Sequence, residues 1–307
     1  MGWGESNIPD LSGKVFVVTG GNSGIGWEAS RALAAKGARV IIACRNEAKG
    51  REAADRILAL VPNAQVEVGR LDLAHLGSVA EFAAGILKDV PQLHGLLNNA
   101  GVMALPFAKT GEGLEMQMGT NHFGHFALTG RLMPMLEATP GSRVVTVSSI
   151  MHRRATFDFD NLQGEKGYQP WIAYGMSKLA NLLFTYELER RLKAKGAAVS
   201  ALACHPGYAA TNLQFVGPQM SGARFREYLM NIGNVVVAQS AAKGALPTLF
   251  AATDPEARGG QYIGPGGLME MRGAPRVVNS NAESKREDNS RRLWALSEQV
   301  TGVAFLS

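Results

Sequence analysis

In 307 residues the chain carries 36 glycines, with 46% hydrophobic and only 19% charged residues, a balance that excludes both a collagen repeat and a disordered chain. Its formal charge of +5 is mild and spread along the sequence, which suits an anionic small molecule and argues against nucleic acid as a partner. Cys44 and Cys204 stand far apart in apolar stretches, with no CxxC pair, so a reducing, cytoplasmic setting is expected. No apolar run reaches the roughly eighteen residues of a membrane span, so no integral membrane segment is expected.

In chain order, short β-branched runs alternate with Ala/Leu-rich helical stretches. Strand patterns fall at Lys14–Thr19, Arg39–Ala43, Gln65–Leu71, Leu93–Leu97, Arg143–Ser148, Ala198–Cys204 and Gln261–Ile263. Helical patterns lie between them near 24–36, 47–60, 75–88, 112–136, 172–195 and 240–252. Strict alternation predicts one α/β domain, a doubly wound Rossmann-type sheet of about seven parallel strands with helices on both faces. The expected core spans 11–270. Residues 212–238 interrupt the alternation as a Gly/Met-rich stretch where a substrate lid is expected, and 281–299 reads as a C-terminal helix docked by Leu293, Trp294 and Leu296.

The first strand runs into Thr19-Gly20-Gly21-Asn22-Ser23-Gly24-Ile25-Gly26, which opens the first helix. Glycines there allow the backbone to turn and approach a pyrophosphate, and the helix N-terminus supplies free N–H groups and the positive end of its dipole. Gly20, Asn22, Ser23, Gly24, Ile25 and Gly26 are therefore candidate dinucleotide-binding residues. The spacing is T-G-x-x-x-G-x-G rather than the commoner G-x-G-x-x-G. After the second strand the chain reads Ala43-Cys44-Arg45-Asn46, without the carboxylate that would bond a ribose 2′-hydroxyl. Arg45 can pair a 2′-phosphate instead, so NADP(H) is preferred over NAD(H). A merely solvated arginine is the plainer alternative.

Tyr174 and Lys178 stand at i and i+4 on the helix behind the fifth strand. A neighbouring ammonium favours phenolate and is expected to lower the Tyr174 pKa toward the working range of an acid/base. Alone such a pair is common on helix surfaces; its place behind the fifth strand of a nucleotide-binding series is what makes it notable. That strand ends Val147-Ser148-Ser149, and ligands of such sheets bind at the carboxyl ends of the strands. His122 and His125 have no further ligands near them in the sequence, so no metal is expected.

Together the glycine loop, Asn98-Asn99-Ala100-Gly101, Tyr174-Gly175-Met176-Ser177-Lys178 and His205-Pro206-Gly207 resemble the short-chain dehydrogenase/reductase family over about residues 11–270. Ser149 precedes Tyr174 by twenty-five residues, a wider gap than in many members. The extra stretch, with the run Ala173–Asn181, resembles the retinol-dehydrogenase-like and protochlorophyllide-reductase-like branch.

The resemblance implies site roles. Ser149, chosen over Ser148, would bond the substrate oxygen; Tyr174 would be the acid/base; Lys178 would tune it and hold the ribose; Asn121 would hold a relay water. Asn99, Ala100 and Gly101 would approach the adenosine-side ribose, Asp72 with Leu73 the adenine, and Pro206, Gly207 and Thr211 the nicotinamide. Asn121 bonded only to backbone, and Pro-Gly as an ordinary turn, are the plainer alternatives. The implied activity is hydride transfer between nicotinamide and a carbonyl or alcohol carbon of an apolar small molecule. Met103, Leu105 and Phe107 are expected to help line its pocket. A catalytically silent NADP(H)-binding sensor and a C=C reductase are the competing readings. The family's habit of pairing through helices makes a homo-oligomer an open possibility.

Overall fold

The computed structural model describes residues 2–208 and 239–307. Its centre is one eight-stranded sheet in the order β3-β2-β1-β4-β5-β6-β7-β8. The strands are β1 (Val15–Thr19), β2 (Arg39–Cys44), β3 (Gln65–Arg70), β4 (Gly95–Asn98), β5 (Arg143–Val147), β6 (Ser200–Cys204), β7 (Tyr262–Pro265) and β8 (Pro275–Val277). The first seven run parallel, as the alternation requires, and β8 is added antiparallel along β7. This eighth strand was not expected from the sequence. It is three residues long and begins with proline, too short to show a period.

Every residue of β1 is buried, because a central parallel strand is covered on both faces. One face packs α1 (Gly24–Ala35), α2 (Glu47–Leu60) and α7 (Ala241–Thr253) through small side chains such as Ala29, Ala32, Ala53 and Ala245. The other packs α3 (Leu76–Asp89), α5 (Gly124–Glu137) and α6 (Pro170–Lys195). There Phe126, Phe184, Trp294 and Phe305 form an aromatic cluster, with Trp294 stacked on Phe184 at a centroid distance of 5.9 Å.

Trp294 comes from α8 (Glu287–Thr301), which begins later than position 281 because residues 283–285 form a separate 3-10 turn. Phe305 and Val303, from the tail beyond α8, lie against Gly130 of α5, where there is no side chain to displace them. The helix expected over 112–136 also starts later. Glu115 accepts from the N–H groups of Gln117 and Met118 and so caps a short α4 (Met116–Met118). A π-helical stretch, Gly119–Phe123, then leads into α5. The expected lid at 212–238, and Thr211, lie outside the described residues.

Candidate active site

The strand order reverses between β1 and β4, and the carboxyl ends of the strands there open a crevice of the kind that takes dinucleotides. Thr19 ends β1, and its Oγ1 accepts from the N–H groups of Asn99 and Ala100, both at 2.9 Å. Asn99 Nδ2 donates to the Thr19 carbonyl at 2.8 Å, so the turn after β4 is fastened to the glycine loop. Gly20 and Gly24 adopt φ of +65° and +54°, which lets the loop fold back over the start of α1. Ser23 makes no side-chain cap, and among the described residues the N–H groups of Gly24, Ile25 and Gly26 have no protein partner. A row of unpaired amides at a helix N-terminus fits a phosphate group.

Arg45, at the end of β2, is exposed and forms no ion pair among the described residues. Asp72 accepts from Ala74 N–H at 3.0 Å, an Asx turn between β3 and α3. Leu73 is buried beneath that turn against Gly124. Pro206 and Gly207 follow β6, where Gln239 Nε2 donates to the Pro206 carbonyl at 2.6 Å.

Beyond β5 the two serines part company. Ser148 Oγ donates to the Lys178 carbonyl at 2.7 Å and is buried as a structural tie between strand and helix. Ser149 caps the following 3-10 turn, accepting from Met151 N–H at 3.2 Å, and its side chain lies near enough to the buried Tyr174 phenol to favour the phenolate. Tyr174 and Lys178 share one face of α6. Lys178 Nζ donates to the Val147 carbonyl at 3.0 Å and lies 5.8 Å from the centre of the Tyr174 ring. A Cβ at Gly101 would stand 3.0 Å from Asn121 Oδ1 and 3.4 Å from Lys178 Nζ, so the missing side chain leaves room for both groups to border the same point.

Asn121 lies in the π-helical stretch, a distortion frequent at functional sites. Its Oδ1 accepts from Val102 N–H at 2.8 Å, while Nδ2 donates to the Val102 carbonyl and to Ser177 Oγ, both at 2.9 Å. Its carbonyl accepts from His125 Nδ1 at 3.0 Å, and His125 Nε2 reaches Thr19 Oγ1 at 2.9 Å. His125 thus ties the glycine loop to the helix that carries Asn121. His122 is buried beside Ser297 of α8. Among the described residues no group of three or more potential metal ligands is found.

The electrostatics depart from expectation at Tyr174. Burial pushes its phenol up to about 12, and the nearby Ser149 side chain offsets this only in part. Lys178 does not bring it down: burial depresses that amine to about 8, and its donation goes to a main-chain carbonyl. In the protein alone the phenol is therefore a proton donor.

The sequence gives no hint of how the loop 102–105 is held. Gln117 Oε1 accepts from Ala104 N–H at 2.7 Å, and its Nε2 donates to Tyr168 Oη and the Pro170 carbonyl. Tyr168 Oη donates to the Leu105 carbonyl at 3.0 Å. The inserted stretch before α6 is thereby clamped onto the loop carrying Met103, Leu105 and Phe107.

The family model described as short chain dehydrogenase matches residues 14–218. Retinol dehydrogenase 12 of Mus musculus is 41% identical over 300 residues, 96% of this chain and 88% of that protein. Retinol dehydrogenase 11 of Homo sapiens is 39% identical over 293 residues, 95% and 87% of the two chains. A solved structure of an uncharacterized protein from Mycobacterium Paratuberculosis has 40% identity and a TM-score of 0.82 over 99% of each chain. The chain belongs to the short-chain dehydrogenase family, nicotinamide-dependent oxidoreductases of alcohol and carbonyl groups, and to its retinol-dehydrogenase-like branch.

Proposed function

We propose that this protein interconverts a carbonyl and an alcohol on an apolar small molecule with NADP(H), using Tyr174 as the acid/base. The observation that carries the reading is the meeting of Ser149, Tyr174, Lys178 and Asn121 beside an open helix N-terminus at the strand ends. When bound, the nicotinamide supplies or takes the hydride. Gly20, Asn22, Ser23, Gly24, Ile25 and Gly26 bind the pyrophosphate, and Arg45 bonds the 2′-phosphate that distinguishes NADP(H) from NAD(H). Asp72 and Leu73 border the adenine, Asn99, Ala100 and Gly101 the ribose, and Pro206, Gly207 and Thr211 the nicotinamide. Ser149 polarises the substrate oxygen. Tyr174, protonated at neutral pH, gives its proton to the alkoxide formed in reduction. Lys178 holds ribose hydroxyls and restores the proton through a water resting on Asn121.

Met103, Leu105 and Phe107 give the pocket an apolar wall, which suits a retinoid, steroid or aromatic carbonyl. The relatives' names make all-trans-retinal the first substrate to try. We read the whole chain as one domain with 212–238 as its lid, and place it in the cytoplasm, where the buried thiols Cys44 and Cys204 stay reduced. The test is NADPH oxidation across a panel of retinal, steroid ketones and aromatic aldehydes, with product analysis. Alcohol products support the reading. Tight NADPH binding without turnover identifies a sensor instead, and saturated C–C products a C=C reductase.

A further inference from the structure

Between β7 and the turn after β5 lies a buried polar cluster that the proposed chemistry does not use: His152, Tyr262, His205 and Glu270, with Arg153 at its rim. His152 is completely buried. Its Nδ1 lies 2.6 Å from the Ser149 carbonyl, which can only accept, so Nδ1 carries the proton. Its Nε2 lies 3.3 Å from the main-chain N–H of Asn281, which can only donate, so Nε2 carries the lone pair. These two contacts fix one neutral tautomer. Asn281 Nδ2 also donates to the His152 carbonyl at 2.9 Å, making the tie double.

The segment that grips His152 is itself anchored. Arg153 donates to the Asn279 carbonyl at 3.1 Å and to Glu270 at 2.8 Å. Glu270 also meets His205 Nε2 at 3.1 Å, and it holds a left-handed φ of +56° that a non-glycine residue adopts only when its surroundings demand it. The Tyr262 ring stands between the two imidazoles, with centroids 5.4 Å from His152 and 5.2 Å from His205.

We propose that His152 is a positioning residue for Ser149: it ties the serine's carbonyl to residues 279–281 and so sets the hydroxyl toward Tyr174 and the substrate oxygen. The inference rests on the reading of Ser149 given above. Burial, with smaller effects from His205 and Arg153, depresses the His152 imidazole to about 4 against the opposing pull of Ser149 and Glu270, so the tie persists at working pH.

The test compares wild type with His152→Ala, His152→Asn and Ser149→Ala in NADPH-driven reduction of all-trans-retinal, together with 15N spectra of histidine-labelled protein. An asparagine amide sits where Nδ1 stood, so it can still donate to the Ser149 carbonyl, while Asn281 Nδ2 keeps its bond to the main-chain carbonyl of residue 152 and so preserves the tie. The expected result is a loss of about tenfold or more in kcat for His152→Ala, since small misplacements of a reacting group are costly. NADPH affinity stays unchanged and His152→Asn recovers most of the loss. In wild type His152 shows an Nδ1–H ring that does not titrate between pH 8 and 5. An unchanged kcat in His152→Ala, equal losses in both His152 variants, or an Nε2–H or titrating ring overturns the inference. Full turnover in Ser149→Ala defeats the parent reading instead. If wild type leaves retinal untouched, the tautomer and its titration decide the tie by themselves.

Discussion

Around Gly20–Gly26 the protein offers a ligand main-chain amides and open space, whereas around Ser149 and Tyr174 it offers side chains buried among one another. On the β1 side the side-chain fastenings among the described residues are few, Thr19 with Asn99 and His125, Arg56 on the Asn22 carbonyl and Ser30 on the Gly26 carbonyl, and the surface left for a ligand is a helix end. On the β5 side the side chains pair with their surroundings, Ser148 with Lys178, Asn121 with Val102 and Ser177, Lys178 with Val147, while Thr146 Oγ1 and Asn181 Oδ1 are buried without a partner among the described residues. The contrast suits the two tasks proposed above. A cofactor can be bound by fixed dipoles, while proton transfer needs groups whose pKa values are set by burial and whose positions cannot drift.

The comparison breaks most visibly at Tyr174. Replacing it with Phe leaves the amides of the other half intact, so turnover should fall by about 10²–10⁴-fold while NADPH affinity stays near normal. Kinetics with retinal and fluorescence titration of NADPH check both halves at once, and a matched loss of affinity would erase the division. Arg45→Asp probes the other half. Losing a charge-assisted contact should move the NADPH-to-NADH preference by about ten- to a hundredfold, with kcat on the favoured cofactor retained. An unaltered ratio rejects the phosphate contact.

Gly26→Ala should act on both folding and binding, because its Cβ would collide with the Gly20 carbonyl and Asn99 Nδ2. A stability loss of about 1–3 kcal/mol in urea unfolding, with weaker NADPH binding, is expected. Normal stability would mean that the loop and the β4 turn are not fastened together.

The last test concerns pH. Burial holds His122 at about 3 and His125 and His152 at about 4, while the unfolded chain protonates near 6.5. Below that pH the unfolded state takes up protons that the folded state refuses, so stability is fully present above about 6.5 and falls as pH drops toward 4. Each histidine adds at most about 1.4 kcal/mol per pH unit to the slope. Urea unfolding at pH 7, 6 and 5 measures it, and His122→Gln should flatten the profile. An acid limb unchanged in that variant would exclude His122 as a source.

The same contrast explains what could be read from the chain before its fold. The seven parallel strands and the glycine loop were legible because they depend on local patterns: β-branched runs, a break of glycines, a helix behind them. Tyr174, Lys178 and Ser149 were legible as a motif but not in their electrostatics, since spacing gives the neighbour of a phenol and not the depth at which both are buried. Gln117, Tyr168, His152 and Asn281 were not legible in their roles, because each acts through partners such as Ala104, Leu105, Ser149 and His152 that only the folded chain brings near. Strand β8 carried no period at all, and it forms because β7 presents an unpaired edge.

Gly130 sits on the helix that continues from Asn121, and the tail residues Val303 and Phe305 rest in the space its absent side chain leaves. The arrangement works as a keyhole in which Val303 and Phe305 are the key. Any larger residue at 130 evicts Phe305 from its ring partners Phe126 and Trp294. Residues 303–305 and the helix beneath the proposed reaction site therefore hold their places together or lose them together.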